Sequence, residues 1–115
     1  MSQSNPSGPS SDLTAQALAA AQLVQYQDGA IVSRAVIKQK SGNVTLFAFD
    51  AGQELSEHTA PFDALVQVLE GRVQVTISGN PLELSAGQMV IMPANQPHAL
   101  KAPARFKMML TMIRG

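Results

Sequence analysis

From Ala30 onward, apolar and polar residues alternate as they do in strands and show no helical spacing. The clearest case is Arg72 to Ile77. Val73, Val75 and Ile77 fall on one face, Arg72, Gln74 and Thr76 on the other, which predicts a half-buried strand. Glu70-Gly71 joins it to Ala64–Leu69 (ALVQVL) as a tight hairpin. Ile31, Val32, Val36 and Ile37 supply β-branched residues to a first strand, and Val44 to Phe49 (VTLFAF) forms a compact apolar one. Leu82–Leu84 and Met89–Met92 are short strands set off by Gly- and Pro-containing turns. His98 begins another, and Phe106 to Ile113 closes the chain with Phe106, Met108, Leu110 and Met112 on one face. Many short strands at close, even spacing predict an all-β sandwich or barrel. Periodicity leaves a jelly roll and an immunoglobulin-like sandwich both open; the absence of Cys and Trp weighs against the second.

The N-terminal part reads differently. Residues 1–12 are rich in Ser, Pro, Gly and Asn and are expected to be a disordered tail. Asp12 is placed to cap a short helix over about 13–26, rich in Ala, Leu and Gln, which Gln27-Asp28-Gly29 then ends. Its apolar residues lie almost all round, as on a helix covered by protein, either this domain or a partner subunit.

Composition narrows the function. A chain of 115 residues is one domain, here 13–115 with its barrel over about 30–113, and can bury a single core. Without Cys it has neither disulfides nor thiolate metal sites. Zero formal charge with interspersed signs lacks the footprint of a nucleic-acid binder. No apolar run reaches the roughly 18 residues of a membrane span. The polar start is unlike a secretory signal, so a cytoplasmic location is the expectation.

Chemistry is concentrated in two stretches, Gly52–Gly71 (GQELSEHTAPFDALVQVLEG) and Gly87–His98 (GQMVIMPANQPH), which hold the only histidines, His58 and His98. Each runs from Gly through five residues to an anchor, His58 in the first and Pro93 in the second. These stretches resemble the paired motifs of the cupin superfamily, small double-stranded β-helix (jelly-roll) barrels of the RmlC-like kind. Gly52, His58 and Gly71 match the first motif; Gly87, Pro93 and His98 match the second. The resemblance covers about Val44 to Ile113, and the chain is further similar to a bacterial group of small single-domain cupins carrying EHTAPFDALVQVLEG and MPANxPHAL.

What the resemblance implies is a cage of three His and one carboxylate around a divalent ion such as Fe, Mn, Ni or Zn. This sequence departs from it. The second His of the first motif is Ala60, the carboxylate position is Ala64, the Gly of the second motif is Asn95 and its terminal Asn is Ala102. Two imidazoles should hold a metal more weakly than the full cage. For a further ligand, Glu57 is on the wrong strand parity and Asp63 is in a loop; Gln67 reaches inward only if a bulge intervenes. The expected pocket is therefore His58, His98, Gln67 and Met92, with His58 and His98 as the metal ligands if a metal is held. Met89, Met92, Met108, Met109 and Met112 read as adaptable core filling; two of them facing inward would open a copper-like His/Met site.

Three functions stay open: a barrel binding a small organic ligand at a reduced two-histidine site, a metal-dependent enzyme of oxygenase or isomerase type using His58 and His98, and a structural or regulatory protein with a vestigial site. The resemblance implies a homodimer.

Overall fold

The computed structural model describes residues 13–114. Nine antiparallel strands form two sheets packed face to face, the all-β architecture expected from the spacing of strands and turns and the jelly-roll arrangement that the resemblance implies. They are β1 (Ile31–Gln39), β2 (Gly42–Phe49), β3 (Glu54–His58), β4 (Asp63–Glu70), β5 (Arg72–Ile77), β6 (Asn80–Ser85), β7 (Met89–Met92), β8 (His98–Lys101) and β9 (Phe106–Ile113). One sheet runs β1-β2-β9-β4-β7, the other β3-β8-β5-β6.

Strand alternation decides what lies between the sheets. Ala64, Val66 and Val68 of β4, Val73 and Val75 of β5, and Phe106 and Met108 of β9 are all buried there. At one end of this core the rings of Phe49 and Phe106 stack with centroids 4.5 Å apart. Met89, expected to fill the core, is instead 64% exposed, because β7 alternates and only Val90 and Met92 turn inward.

The N-terminal segment overturns one expectation. In place of a helix over 13–26 there is a single 3₁₀ turn, Ala20–Gln22. Ala15 is left-handed at φ 62° and Ala19 is extended, so no helical run spans them. The carbonyls that a helix would use are occupied by the barrel: Lys107 Nζ donates to Ala21 O (2.6 Å) and Arg34 Nη1 to Leu23 O (3.2 Å). A helix of this length is marginal in water, and contacts to a preformed sheet outweigh its local propensity. The segment packs in cis on the outer face of the five-stranded sheet, where Val24, Leu46 and Ala48 form a second buried cluster with Tyr26 and Met109 around it. That cover explains the apolar run Leu46–Phe49 at the end of β2, which is shielded on both faces. The predicted tail at 1–12 lies outside the described residues.

Asp50 ties this segment to the barrel. Its carboxylate accepts from Gly29 N (2.6 Å), Ala51 N (2.9 Å) and Arg105 Nε (2.8 Å). Arg105, then those backbone donors, hold the Asp50 carboxyl below the usual carboxylate range.

Candidate functional site

β3 and β8 are neighbours, and their register places His58 directly opposite His98. A bulge between Leu55 and His58 breaks the two-residue alternation. Leu55 and His58, three apart, consequently reach the same pocket between the sheets. The rings meet edge to face with centroids 4.4 Å apart, and the two Nε2 atoms are 3.1 Å from each other.

Each ring is held by its other nitrogen. His58 Nδ1 lies 2.9 Å from Ser56 O, and His98 Nδ1 lies 3.2 Å from Gln96 O. A backbone carbonyl can only accept, so these contacts assign the proton of both rings to Nδ1. Both Nε2 atoms then present lone pairs to each other. Three contacts need three protons, while two neutral imidazoles carry two. The pair is complete only when something electron-poor sits between the Nε2 atoms: a third proton, a donor group, or a metal ion. Burial, and then the neighbouring His58, hold the His98 imidazole below its ordinary range, with its bond to Gln96 offsetting part. A third proton placed on His98 is therefore disfavoured near neutral pH.

The chamber in front of the pair is small, about 50 Å³, and its walls are otherwise apolar: Leu55, Ala60, Ala64, Met92, Leu100, Met108, Leu110 and Met112. Of the residues expected there, His58, His98 and Met92 are in place. Gln67 is not. No irregularity separates it from Ala64 along β4, whose only register shift falls between Val68 and Glu70, so odd parity sends Gln67 to the outer face, opposite Met89 and Met109. Asp63 is also turned away, capping the next loop by accepting from Ala94 N (2.9 Å). Among the described residues no third His, Cys, Asp or Glu joins the pair. Sequence reasoning missed Leu55, hidden by the bulge, and the wall formed by β9. The alternation of Met108, Leu110 and Met112 carried the signal for that wall. A larger groove of about 300 Å³, beside Gly42 and Arg114, is an open surface feature whose lining includes neither histidine.

The remaining anchors shape the loops. Gly52 (φ 87°), Gly71 (φ 75°) and Gly87 (φ 91°) all require the left-handed region. Asn95, where the family motif has Gly, takes φ 65°, which Asn tolerates better than most residues.

A two-sheet jelly roll with its chemistry on β3 and β8 defines the class, and the comparisons identify it. The model of the cupin domain family matches residues 45–114, and the chain belongs to that family. A conserved protein of unknown function from Streptococcus pyogenes is 34% identical, with a TM-score of 0.84 over 88% of this chain and 89% of that one. A cupin 2 conserved barrel domain protein from Leptotrichia buccalis is 37% identical with a TM-score of 0.79, over 82% of this chain. The match spans only 46% of that longer protein. A cupin superfamily protein from Desulfitobacterium hafniense, 24% identical, shares the fold with a TM-score of 0.84 over 89% and 94% of the two chains. No curated protein matches.

The four-donor cage that the family implies does not fit these residues. Ala60 and Ala64 line the pocket where a second imidazole and a carboxylate would stand.

Proposed function

We propose that this cupin is a binding module whose barrel captures a small electron-pair acceptor, a metal ion or a compact hydrogen-bond donor, between His58 and His98. The observation that carries the reading is the 3.1 Å approach of two Nε2 atoms whose partner nitrogens both face backbone carbonyls. Two nitrogens on one metal, each roughly 2.0–2.1 Å from it, show a similar separation. Ligating histidines commonly donate their other N–H to a carbonyl, which fixes the ring and leaves the lone pair aimed at the guest. The chamber of about 50 Å³ limits any organic guest to a few heavy atoms, well below the roughly 300–1,000 Å³ of drug-sized sites.

The test is thermal unfolding of protein freed of metal by chelation, against Mn(II), Fe(II), Ni(II), Zn(II), Cu(I) under anaerobic conditions, and small amines, alcohols and acids. A guest present at about 100 times its Kd stabilises the folded state by about 2.7 kcal/mol. That gain is expected for at least one guest in the wild type and is lost in both His58→Ala and His98→Ala. A panel that never shifts the wild type, or shifts the variants equally, would sink the reading.

The proposal extends to a homodimer formed through β7. This edge strand exposes Met89 and Ile91 on its outer face, 64% and 62% accessible, beside a row of unpaired backbone groups. A second copy pairing there would cover both. Sedimentation is expected to give a dimer for the wild type and a monomer for Ile91→Lys; an Ile91→Lys protein that stays dimeric excludes this edge.

A further inference from the structure

The residues facing the histidine pair narrow the guest further. Three methionines, Met92, Met108 and Met112, line the same small chamber as the two imidazoles. Their placement follows from register. Ala64 on β4 is paired on one side with Met92 of β7 and on the other with Met112 of β9. The family's carboxylate position is thus occupied by a methyl group flanked by two thioether side chains. The histidines come from the four-stranded sheet and the methionines from the five-stranded sheet, so the two sets meet across the pocket.

We infer that the site takes monovalent copper, held by Nε2 of His58, Nε2 of His98 and a thioether sulfur from Met92 or Met112. The inference rests on the reading that the pair takes a guest and names the chemistry of that guest. Two arguments carry it. Thioether sulfur is a soft, neutral donor that favours Cu(I), whereas hard dications favour carboxylate, carbonyl and water. No carboxylate among the described residues joins the histidines, so every donor is neutral and the ion's charge stays uncompensated. The cost of an uncompensated charge in an apolar site scales with its square, so a dication costs about four times as much as a monocation. No electron transfer is part of the proposal; the ion binds as Cu(I) and remains Cu(I).

The competing account is that these methionines only fill space, as flexible side chains do in irregular cores. Burial alone suits that account for Met92, 3% exposed, as much as for Met108, 1% exposed. Substitution by leucine separates the two, because Met→Leu nearly conserves volume and removes only the sulfur.

The experiment is an anaerobic titration in which the protein competes for Cu(I) with a chromophoric chelator. Wild-type protein is expected to withdraw one equivalent, and X-ray absorption is expected to show both nitrogen and sulfur bound to copper. The double variant Met92→Leu with Met112→Leu is expected to lose affinity by at least about tenfold, the scale on which disturbing a metal site is felt. Its melting temperature without metal reports that it still folds, and Met109→Leu, in the cluster on the outer face of the sheet, serves as the control with unchanged affinity. A leucine double variant that binds Cu(I) as tightly as wild type, or a copper spectrum with nitrogen and oxygen alone, overturns the copper assignment. Wild-type protein that ignores Cu(I) while another guest binds through His58 and His98 overturns it too, yet leaves the proposed function standing. Failure of every guest removes both.

Discussion

Phe106→Ala is expected to lower the free energy of unfolding by about 3–5 kcal/mol, the range for removing a large aromatic from a packed core. Phe106 is fully buried and stacks on Phe49 with centroids 4.5 Å apart, while Phe49 in turn meets Phe47 at 6.1 Å. With only four phenylalanines, one tyrosine and no tryptophan in the chain, little else can fill the space left behind. Domains of this size are stable by about 5–15 kcal/mol, so the variant should lose a large share of its margin. Urea unfolding checks this: the midpoint should fall while the slope stays near the wild-type value. A loss below about 1 kcal/mol would mean that neighbouring side chains collapse into the gap, contrary to a closely packed core.

Gly71→Ala is the second large effect, and its cause is backbone rather than side chain. Gly71 closes the β4–β5 hairpin at φ 75°, and a Cβ there would run into the carbonyl oxygen of Arg105 and stand 2.9 Å from Phe106 Cα. Both neighbours are backbone atoms at the start of β9, so relief requires one chain to move. The left-handed conformation costs a non-glycine residue about 1–2 kcal/mol. Overpacking adds about 1–3 kcal/mol, for a total of about 2–5 kcal/mol. Gly79 provides the comparison: its φ is 82°, yet nothing lies within 4 Å of an added Cβ. Gly79→Ala should therefore show the conformational cost alone, about 1–2 kcal/mol. Equal destabilisation of the two variants in chemical denaturation would show that the contact with Arg105 and Phe106 yields freely.

The two glycines that bracket the first motif have different surroundings. Gly71 is fixed by close approach to β9, whereas Gly52 has open space around its Cβ position and needs only its left-handed turn. Gly71 thus matters to the fold whether or not the histidine site binds anything, and a stability loss there says nothing about guest binding.

Much of this was legible along the chain. Alternation at Arg72–Ile77 and at Phe106–Met112 fixed which side chains face the core, because side-chain direction in a strand has a period of two. Parity also set the condition that Gln67 then failed. The spacing from Gly52 to His58 and from Gly87 to His98 led to the family, and the structure brings those two imidazoles together. Local patterns were weaker where long-range contacts compete with them. The Ala- and Leu-rich segment after Asp12 has good helix formers, but its carbonyls are taken by Lys107 and Arg34, eighty-six and eleven residues away. Leu55 escaped because a bulge has no distinct signature in composition.

The order of residues alone therefore determined the class of fold, the inner faces of β5 and β9 and the pair of histidines, since each follows from spacing and strand geometry. Only tertiary structure decided the tautomers, the 3.1 Å gap between the Nε2 atoms and the meeting of that pair with Met92 and Met112. Those depend on register between strands distant in sequence, and register is set by the packing of both sheets at once.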